Sequence, residues 1–406
     1  MKRLRLSLVL VCLGLAVWSL SGVAFAQIAY ERRTVLDWSS DGQFIALGSR
    51  QGVLKIFMAH QKLLMREFQA HLGGVKALKW GGNVILSAGN DDSVELWFFS
   101  GLSLSNITIL YSSGTANSPN IGAVAWSPTS DRIAILHFEG NPNLSIWDLL
   151  GRPRRLASVG SASTAQWSPS GRLFAVGHLR GSVAIHNTVD IDFERLFVLD
   201  SIHPEILLVS LDWSKDDAYL LGSDGYGRVF VWEVGNQKLV HTFNSAAVED
   251  ITVGDPFTHA ALKARFSADG RSVQAINADG TIRSWDLATG QLLSEVKVAS
   301  PIVSAAWSPY GAQLVVDLLN PPQGDAQDAL SANHLQILVP FASLDQFKAI
   351  ASVCITNAAE QAALQAKAAS ESLAGLSAYV SSLPVEVIPP ACAADLLAIA
   401  AALQGN

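Results

Sequence analysis

The feature that most constrains the fold of this 406-residue chain is a motif that recurs seven times. In each copy an alternating apolar run closes on an aromatic residue, a short turn follows, and a second aliphatic run begins. Four of the turns read Ser-x-x-Gly, which suits a tight turn because Gly tolerates positive φ. The closing residues are Trp38, Trp80, Trp126, Trp167, Trp213, Phe266 and Trp307, with successive spacings of 42, 46, 41, 46, 53 and 41 residues. Short strands repeated at this period predict a stacked β-repeat architecture, since one unit cannot bury its apolar face alone.

The distribution of tryptophan supports the same repeat. Ten tryptophans follow residue 26, and each occupies one of two slots in the motif. Six close first strands, and the other four lie in predicted third strands at Trp97, Trp147, Trp232 and Trp285. An aromatic residue that recurs in this way packs between neighbouring sheets, where its large area is buried. We therefore interpret the tryptophans as structural, and an aromatic sugar-binding platform is the less favoured alternative.

These motifs resemble the WD-repeat family of β-propellers over about residues 28 to 340. Trp147-Asp148 and Trp285-Asp286 match the dipeptide that names the family, and Trp232-Glu233 is a near match. The resemblance implies an all-β domain, a seven-bladed β-propeller of four-stranded antiparallel blades.

The resemblance also implies a structural hydrogen-bond network in the best-preserved blade. In blade 2 its members would be His71, Ser87, Asp91 and Trp97. Blade 6 retains Asp279 and Trp285 of this set, with His259 as a possible partner, while Ala275 stands in place of the serine.

The N-terminus has the layout of a secretory signal peptide. Three cations among residues 2–5 precede an apolar run over 6–20, and the small-residue pattern Ala-Phe-Ala ends at Ala26. We expect residues 1–26 to be removed and the mature protein to be secreted, periplasmic or at the cell surface. The alternative is an uncleaved anchor, because no charge lies between Arg5 and Glu31. We expect no membrane span after cleavage.

Charge argues against nucleic acid as a partner. The formal net charge is −7, and loss of the three leader cations would make it −10. The chain has no block of Lys and Arg to neutralise phosphates. We therefore expect no nucleic-acid binding.

Composition changes after the predicted propeller, which we place at residues 27–341. Residues 342–406 are Ala-rich, and the patterns Ser343-Leu-Asp-Gln346 and Asn357-Ala-Ala-Glu360 predict helix starts. We expect one helical run over 358–380 and a short last helix over 391–403. Cys354 and Cys392 are the only cysteines after the leader, and in an oxidising compartment we expect a disulfide between them.

The seventh repeat predicts how the ring closes. A helix start follows its third strand, at about residues 335–340, so no fourth strand comes from that part of the chain. The family resemblance implies that residues 28–33 supply the missing strand, which would remove a free sheet edge.

The sequence carries no motif that specifies catalysis. It has no Gly-x-Ser-x-Gly, no His-Glu-x-x-His, no Gly-rich phosphate loop with Lys and no calcium loop. We expect no catalytic residues, no cofactor and no metal. The alternative is an exported propeller hydrolase or lyase, with an acidic site at the channel mouth assembled from loops of several blades.

Long connections mark the predicted binding face. In the family's topology, loops between second and third strands and loops between blades share one face, and the long ones here span 111–120, 139–143, 244–259 and 320–333. Two of them carry two or more acids and no Lys or Arg. We expect a non-catalytic scaffold that binds a partly cationic protein or peptide through Glu249, Asp250, Ile251, Val253, Asp255, Phe257, Asp325 and Asp328. The alternative is neutral insertion at a tolerant surface.

Overall fold

The computed structural model describes residues 34–100, 104–111, 121–129, 131–137, 143–149, 154–160, 162–178, 181–189, 193–199, 208–245, 261–319, 334–355, 357–370 and 373–404. Within these ranges the strands form seven antiparallel sheets, and four helices follow them. This is the predicted seven-bladed β-propeller with a C-terminal helical extension. The predicted leader, residues 1–26, lies outside the described residues.

In every blade the strands pair in sequence order, so each blade is an antiparallel meander. Blades 1 and 2 consist of β1 (Val35–Trp38), β2 (Phe44–Gly48), β3 (Val53–Met58), β4 (Leu63–Gln69), β5 (Val75–Gly81), β6 (Val84–Gly89), β7 (Ser93–Phe99) and β8 (Leu104–Tyr111). Blades 3 and 4 consist of β9 (Ile121–Trp126), β10 (Arg132–His137), β11 (Leu144–Asp148), β12 (Arg154–Val159), β13 (Ala162–Trp167), β14 (Leu173–His178), β15 (Val183–Asn187) and β16 (Arg195–Leu199).

Blades 5 to 7 continue the same order. They consist of β17 (Leu208–Trp213), β18 (Tyr219–Asp224), β19 (Arg228–Glu233), β20 (Lys238–Asn244), β21 (Ala261–Phe266), β22 (Ser272–Asn277), β23 (Thr281–Asp286), β24 (Leu292–Lys297), β25 (Ile302–Trp307), β26 (Leu314–Leu318) and β27 (Leu335–Leu338). The first strand of each blade therefore ends at or next to its repeat's closing aromatic residue, and the four other tryptophans lie in third strands, as the repeat predicts.

The turn after each first strand shows why the serine recurs. In blade 1 the N–H of Gly42 donates to the carbonyl of Ser39 at 2.9 Å, and Ser39 Oγ accepts the N–H of Phe44 at 2.8 Å. Gly42 has a φ of 67°, which a residue without a side chain adopts at little cost. The serine hydroxyl thus satisfies a backbone donor that the turn leaves unpaired.

The core lies between adjacent blades, and first-strand tryptophans also cross these junctions by hydrogen bonding. Trp38 Nε1 donates to the carbonyl of Ala306 at 2.9 Å, which links blade 1 to blade 7. Trp213 Nε1 donates to the carbonyl of Gln166 at 3.2 Å, which links blade 5 to blade 4. Trp38 is only 4% exposed. These contacts confirm a structural role for the first-strand tryptophans.

The ring closes where blade 1 meets blade 7. Thr34, directly before β1, donates from Oγ1 to Asp317 Oδ2 at 2.5 Å, and its Oγ1 lies 2.8 Å from Ser304 Oγ. Among the described residues blade 7 has three strands, of which β27 is the outermost. The predicted pairing of residues 28–33 onto 335–340 stays a prediction, because residues 28–33 lie outside the described ones.

The extension consists of α1 (Leu344–Cys354), α2 (Ala358–Ser370), α3 (Leu373–Ser382) and α4 (Pro390–Gln404). Both predicted helix starts are confirmed: Ser343 Oγ accepts the N–H of Gln346 at 3.0 Å, and Asn357 Oδ1 accepts the N–H of Ala359 at 3.0 Å. The expectation of a single helix over 358–380 is wrong, because that stretch divides between α2 and α3. Ser370 and Ser372 interrupt its Ala-rich sequence, and serine favours helix ends over helix interiors.

Candidate functional site

The four residues predicted to form a network in blade 2 meet in the structure. Trp97 Nε1 donates to Ser87 Oγ at 2.8 Å, and Ser87 Oγ lies 2.8 Å from His71 Nε2. On the other side of the ring, His71 Nδ1 lies 3.1 Å from Asp91 Oδ1. Asp91 Oδ2 in turn accepts the backbone N–H of Leu72 at 2.6 Å. The network ties the connection between blades 1 and 2 to the loop between β6 and β7.

Burial lowers the pKa of His71 below its ordinary value, although the neighbouring Asp91 carboxylate opposes this shift. Burial alone would raise the pKa of Asp91, but hydrogen bonds from Leu72 and Ser93, together with His71, outweigh it and lower that pKa. A neutral imidazole that donates from Nδ1 and accepts at Nε2 satisfies every partner in the network. The arrangement is suited to holding two loops together.

The two network residues predicted in blade 6 do not share a serine partner. Asp279 Oδ1 accepts the N–H of Thr281 at 2.8 Å, and its Oδ2 lies 3.3 Å from Lys297 Nζ. Trp285 stacks on Phe243, with ring centroids 5.1 Å apart. The possible partner His259 lies outside the described residues.

The antiparallel order gives the propeller two distinct faces. We call the side formed by the turns after the first strands the turn face, and the side formed by the loops between second and third strands and between blades the loop face. Among the described strands, β20 ends and β21 begins at the loop face, so the connection 246–260 leaves from this face. Likewise β26 ends and β27 begins there, so the connection 320–333 leaves from the same face.

The predicted partner-binding residues belong to these two connections. All of them lie outside the described residues: Glu249, Asp250, Ile251, Val253, Asp255, Phe257, Asp325 and Asp328. Their role as a binding site stays a prediction.

The helical extension packs on the turn face of blades 6, 7 and 1. Ala312 belongs to the buried cluster formed by the helices, and Tyr310 and Ala268 pack against that cluster. On blade 1, a Cβ placed on Gly42 would lie 3.2 Å from Ala391 of α4. The extension is therefore docked on one particular face of the propeller.

A buried carboxylate from α4 completes the turn of blade 7. In blades 1, 5 and 6 the turn serine donates to an aspartate two residues later, as Ser39 does to Asp41 at 2.6 Å. Blade 7 has Tyr310 at that position, and Ser308 Oγ donates instead to Asp395 Oδ2 at 2.8 Å. Asp395 is 1% exposed and is the only charged residue of α4.

Two further donors hold the same carboxylate. The N–H of Ala312 lies 3.2 Å from Asp395 Oδ2, and Gln313 Nε2 donates to Asp395 Oδ1 at 3.0 Å. Burial raises the pKa of Asp395 even though these three hydrogen bonds favour the ionised form. Asp395 therefore joins the last helix to the last blade through a polar contact inside an apolar interface.

The predicted disulfide is present. Cys354 at the end of α1 bonds to Cys392 in α4, with the Cα atoms 6.1 Å apart. Both residues are buried in the helical cluster. The bond fixes the helix that carries Asp395 to the helix that follows the propeller.

The first strands surround a central channel of about 830 Å³. In five of the blades the residue before the closing aromatic lines this channel. Strand alternation places residues two positions apart on the same face of a strand. The polar members of this ring are Asp37, Lys79, Gln166, Asp212 and Arg265. Lys263, two residues before Arg265, also lines the channel, and Val353 of α1 borders it.

The two acids of the channel are engaged by backbone groups. Asp37 Oδ2 accepts the N–H of Trp80 at 2.8 Å, and Asp212 Oδ2 accepts the N–H of Phe266 at 2.8 Å, so each carboxylate links its blade to the next one. Burial raises the pKa of Asp212. Burial and the nearby Lys79 ammonium lower the pKa of Lys263 to about 8, partly offset by Asp37.

Sequence reasoning missed both the channel cations and Asp395. Lys79 lies on blade 2 while Lys263 and Arg265 lie on blade 6, so no local run of basic residues reveals them. The available signal was a charged residue directly before a closing aromatic residue, as in Lys79-Trp80 and Arg265-Phe266. For Asp395 the signal was a single acid in an apolar helix.

The described residues contain neither a candidate membrane span nor a candidate metal site. No helix in those ranges combines the length and hydropathy needed to cross a membrane. No group of three or more His, Cys, Asp or Glu side chains there is placed to hold a metal ion.

The chain is similar to several known proteins. The chain is 25% identical over 263 residues to Anaphase-promoting complex subunit cdc20 of Dictyostelium discoideum, a match covering 62% of this chain and 48% of that relative. It is 27% identical over 207 residues to Protein transport protein SEC31 of Kluyveromyces lactis, covering 47% and 17%. It is 23% identical over 256 residues to WD repeat-containing protein WRAP73 of Mus musculus, covering 56% and 55%. The chain thus spans less than two thirds of each of these relatives.

A family model described as Eukaryotic translation initiation factor eIF2A matches residues 111–254. Among solved structures, the β-propeller domain of Myceliophteria thermophila Cps50 (Swd1) superposes with a TM-score of 0.58 at 17% identity, covering 76% of this chain and 97% of that one. This likeness shows the fold.

None of these relatives is named as an enzyme. This agrees with the non-catalytic interpretation of the sequence. An enzymatic site at the channel would need acids that are available for catalysis. The two channel carboxylates, Asp37 and Asp212, instead accept hydrogen bonds from backbone N–H groups of neighbouring blades, which is a structural use.

Proposed function

Because the chain is a WD-repeat β-propeller, we propose that it is an exported, non-catalytic scaffold that binds a protein or peptide partner on its loop face. The observation that carries this proposal is the position of the helical extension. The chain's own helices cover the turn face at blades 6, 7 and 1, through Asp395 and the Gly42–Ala391 contact. The long connections leave from the opposite face, which the described helices do not cover.

The relatives support an interaction role. The cdc20 relative is named as a subunit of a complex, and the SEC31 relative as a transport protein. A propeller of this kind offers a broad rigid rim on which loops of several blades can contact one partner. Binding through loops on a rigid scaffold requires no catalytic group.

Export is supported by two features of the chain. Residues 1–26 have the charged, apolar and small-residue order of a signal peptide. The Cys354–Cys392 disulfide is of the kind that persists in an oxidising compartment. We place the mature protein outside the cytoplasm, as a secreted, periplasmic or surface protein.

The chemistry of the connections favours a partly cationic partner. The connections 244–259 and 320–333 together carry five acids and no Lys or Arg. Rim charges act mainly on the association rate and on its salt dependence, so affinity would come from apolar neighbours, namely Ile251, Val253 and Phe257.

The test begins with capture of a partner by the mature protein from the envelope or medium of the source cell. Association is then measured by surface plasmon resonance at low and high salt. The test variant changes five acids of the connections to Asn or Gln: Glu249, Asp250, Asp255, Asp325 and Asp328. The matched control changes five exposed acids elsewhere: Glu67, Glu194, Glu295, Asp345 and Glu386.

We expect the test variant to associate more slowly at low salt, with little difference at high salt, where screening is nearly complete. The control should associate like the natural protein. Equal slowing in both variants would refute the local electrostatic role. Unchanged binding after both connections are shortened would refute the loop face as the site.

A further inference from the structure

The central channel has the opposite charge to the protein that surrounds it. The whole chain has a formal net charge of −7. The channel, by contrast, is lined by five cations and only two carboxylates, a local excess of three positive charges: Lys76, Lys79, Lys215, Lys263, Arg265, Asp37 and Asp212. Low-dielectric walls focus such a field along the channel axis.

The two carboxylates do not neutralise the central cations directly. Among the described residues, the side-chain ammonium of neither Lys79 nor Lys263 has a hydrogen bond or an ion pair within 4.0 Å. The acids are instead held by the backbone of the next blade, through the N–H groups of Trp80 and Phe266. Lys263 is desolvated by burial, and a desolvated cation without a direct partner is unfavourable unless an anion binds beside it.

Arg265 is fixed in place and extends the cationic wall. Its Nε donates to the carbonyl of Phe266 at 2.8 Å, and its guanidinium lies 5.6 Å from the centroid of the Trp307 ring. These contacts orient the guanidinium in advance, so little side-chain entropy would be lost when an anion binds. Gln166 of blade 4 also lines the channel.

We propose that the channel binds a small organic anion, bearing a phosphate or more than one carboxylate, through Lys79, Lys263 and Arg265. The channel volume of about 830 Å³ falls within the range of small-molecule sites and exceeds what a single inorganic ion fills. This site is separate from the loop connections, so it stands or falls independently of the protein-binding role.

The proposal gives binding a specific pH dependence. Burial lowers the pKa of Lys263 to about 8, together with the charges of Lys79 on β5 and Arg265 on its own strand. The carboxylates of Asp37 on β1 and Asp212 on β17 partly offset this shift. The anion interacts with the protonated amine. Binding therefore weakens as the pH rises through about 8, and a bound anion raises the pKa of Lys263.

The first experiment uses isothermal titration calorimetry on the mature protein. Citrate and glycerol 3-phosphate are the probes, and glycerol is the uncharged control. The variants are Lys79→Gln and Lys263→Gln, with Lys238→Gln as a matched control because Lys238 is an exposed lysine on β20. We expect saturable binding of at least one probe, a loss of about tenfold or more in either channel variant, and no change in Lys238→Gln.

A second measurement needs no variant and therefore does not depend on how the variants fold. An amine-reactive reagent labels the natural protein at pH 8, and mass spectrometry follows Lys263 with Lys238 as the internal reference. We expect the probe to slow labelling of Lys263 and to leave Lys238 unaffected.

Three outcomes would overturn the proposal. The first is that neither citrate nor glycerol 3-phosphate binds at millimolar concentration or protects Lys263. The second is that all three lysine variants bind the probes alike. The third is that an acidic peptide binds in a Lys79- and Lys263-dependent way while both small anions fail, since the channel would then receive a segment of a partner protein.

Discussion

Replacing Asp395 tests whether the helical extension is an integral part of the propeller. Asp395→Ala removes the acceptor of three donors, from Ser308, Ala312 and Gln313, at a site where the aspartate is 1% exposed. Leaving a buried donor unpaired costs about 1–3 kcal/mol. Ser308 and the half-buried Gln313 can partly find other partners. We therefore expect a loss of about 3 kcal/mol in the free energy of unfolding, since the Ala312 N–H contributes its full cost.

The matched variant Asp395→Asn separates hydrogen bonding from charge. Its amide oxygen can accept from Ser308 and Ala312, and Gln313 can rotate its own amide to accept from the new NH₂ group. The substitution also removes a carboxylate whose ionisation burial disfavours. We expect Asp395→Asn to lie within about 1 kcal/mol of the natural protein at pH 7.

The assay is urea unfolding followed by tryptophan fluorescence and circular dichroism. Burial raises the pKa of Asp395 in the folded protein above its ordinary value of 3.8, which applies in the unfolded chain. At a pH between these two pKa values, Asp395 is protonated in the folded protein and ionised in the unfolded chain. The stabilising contribution of this group is therefore fully present below 3.8 and is lost as the pH rises through the folded pKa. The natural protein should gain stability relative to Asp395→Asn when the pH falls from 7 toward 4.

Equal losses in the Ala and Asn variants would show that the ionised carboxylate itself holds the interface. A loss below about 1 kcal/mol in Asp395→Ala would show that the three donors find water or other partners, and that the contact is incidental.

Three further predictions concern the other tertiary contacts. Ser87→Ala should lower the free energy of unfolding, measured in urea, by about 2–4 kcal/mol, because it leaves Trp97 Nε1 and His71 Nε2 buried without a partner. A loss as small as that of the exposed control Ser105→Ala would contradict this prediction. Burial lowers the pKa of His71 in the folded protein below 6.5, so its contribution to stability is present above pH 6.5 and is lost as the pH falls through the folded pKa. Unfolding midpoints of the natural protein and of His71→Gln are compared from pH 7.5 to 5. Parallel pH dependence of the two proteins would refute this prediction. Replacing both Cys354 and Cys392 by Ser should lower stability by about 4 kcal/mol, from the entropy of a loop with a sequence separation of 38, and an unchanged midpoint would show that helix packing alone suffices.

Local sequence patterns determined the architecture of the propeller. A closing aromatic residue, a serine turn and a glycine recur along the chain, and each acts over a few residues through strand alternation and turn hydrogen bonding. These contacts are short in sequence, as in the Ser39–Phe44 turn, so the pattern predicted seven stacked β-repeats and the slots of ten tryptophans, while the resemblance to the WD-repeat family implied that the repeats are propeller blades. Capping serine and asparagine predicted two helix starts for the same reason.

Only the tertiary structure decided which distant residues meet. Ser308 and Asp395 are 87 residues apart, and no local rule pairs a turn that lacks its own acid with an acid in an apolar helix. Lys79 and Lys263 converge because the ring brings the first strands of all blades around one axis, which turns residues that are isolated in sequence into neighbours in the channel. The position of the helices on the turn face followed from the same closure, since their apolar cluster is complementary to blades 6, 7 and 1 only after the ring has formed.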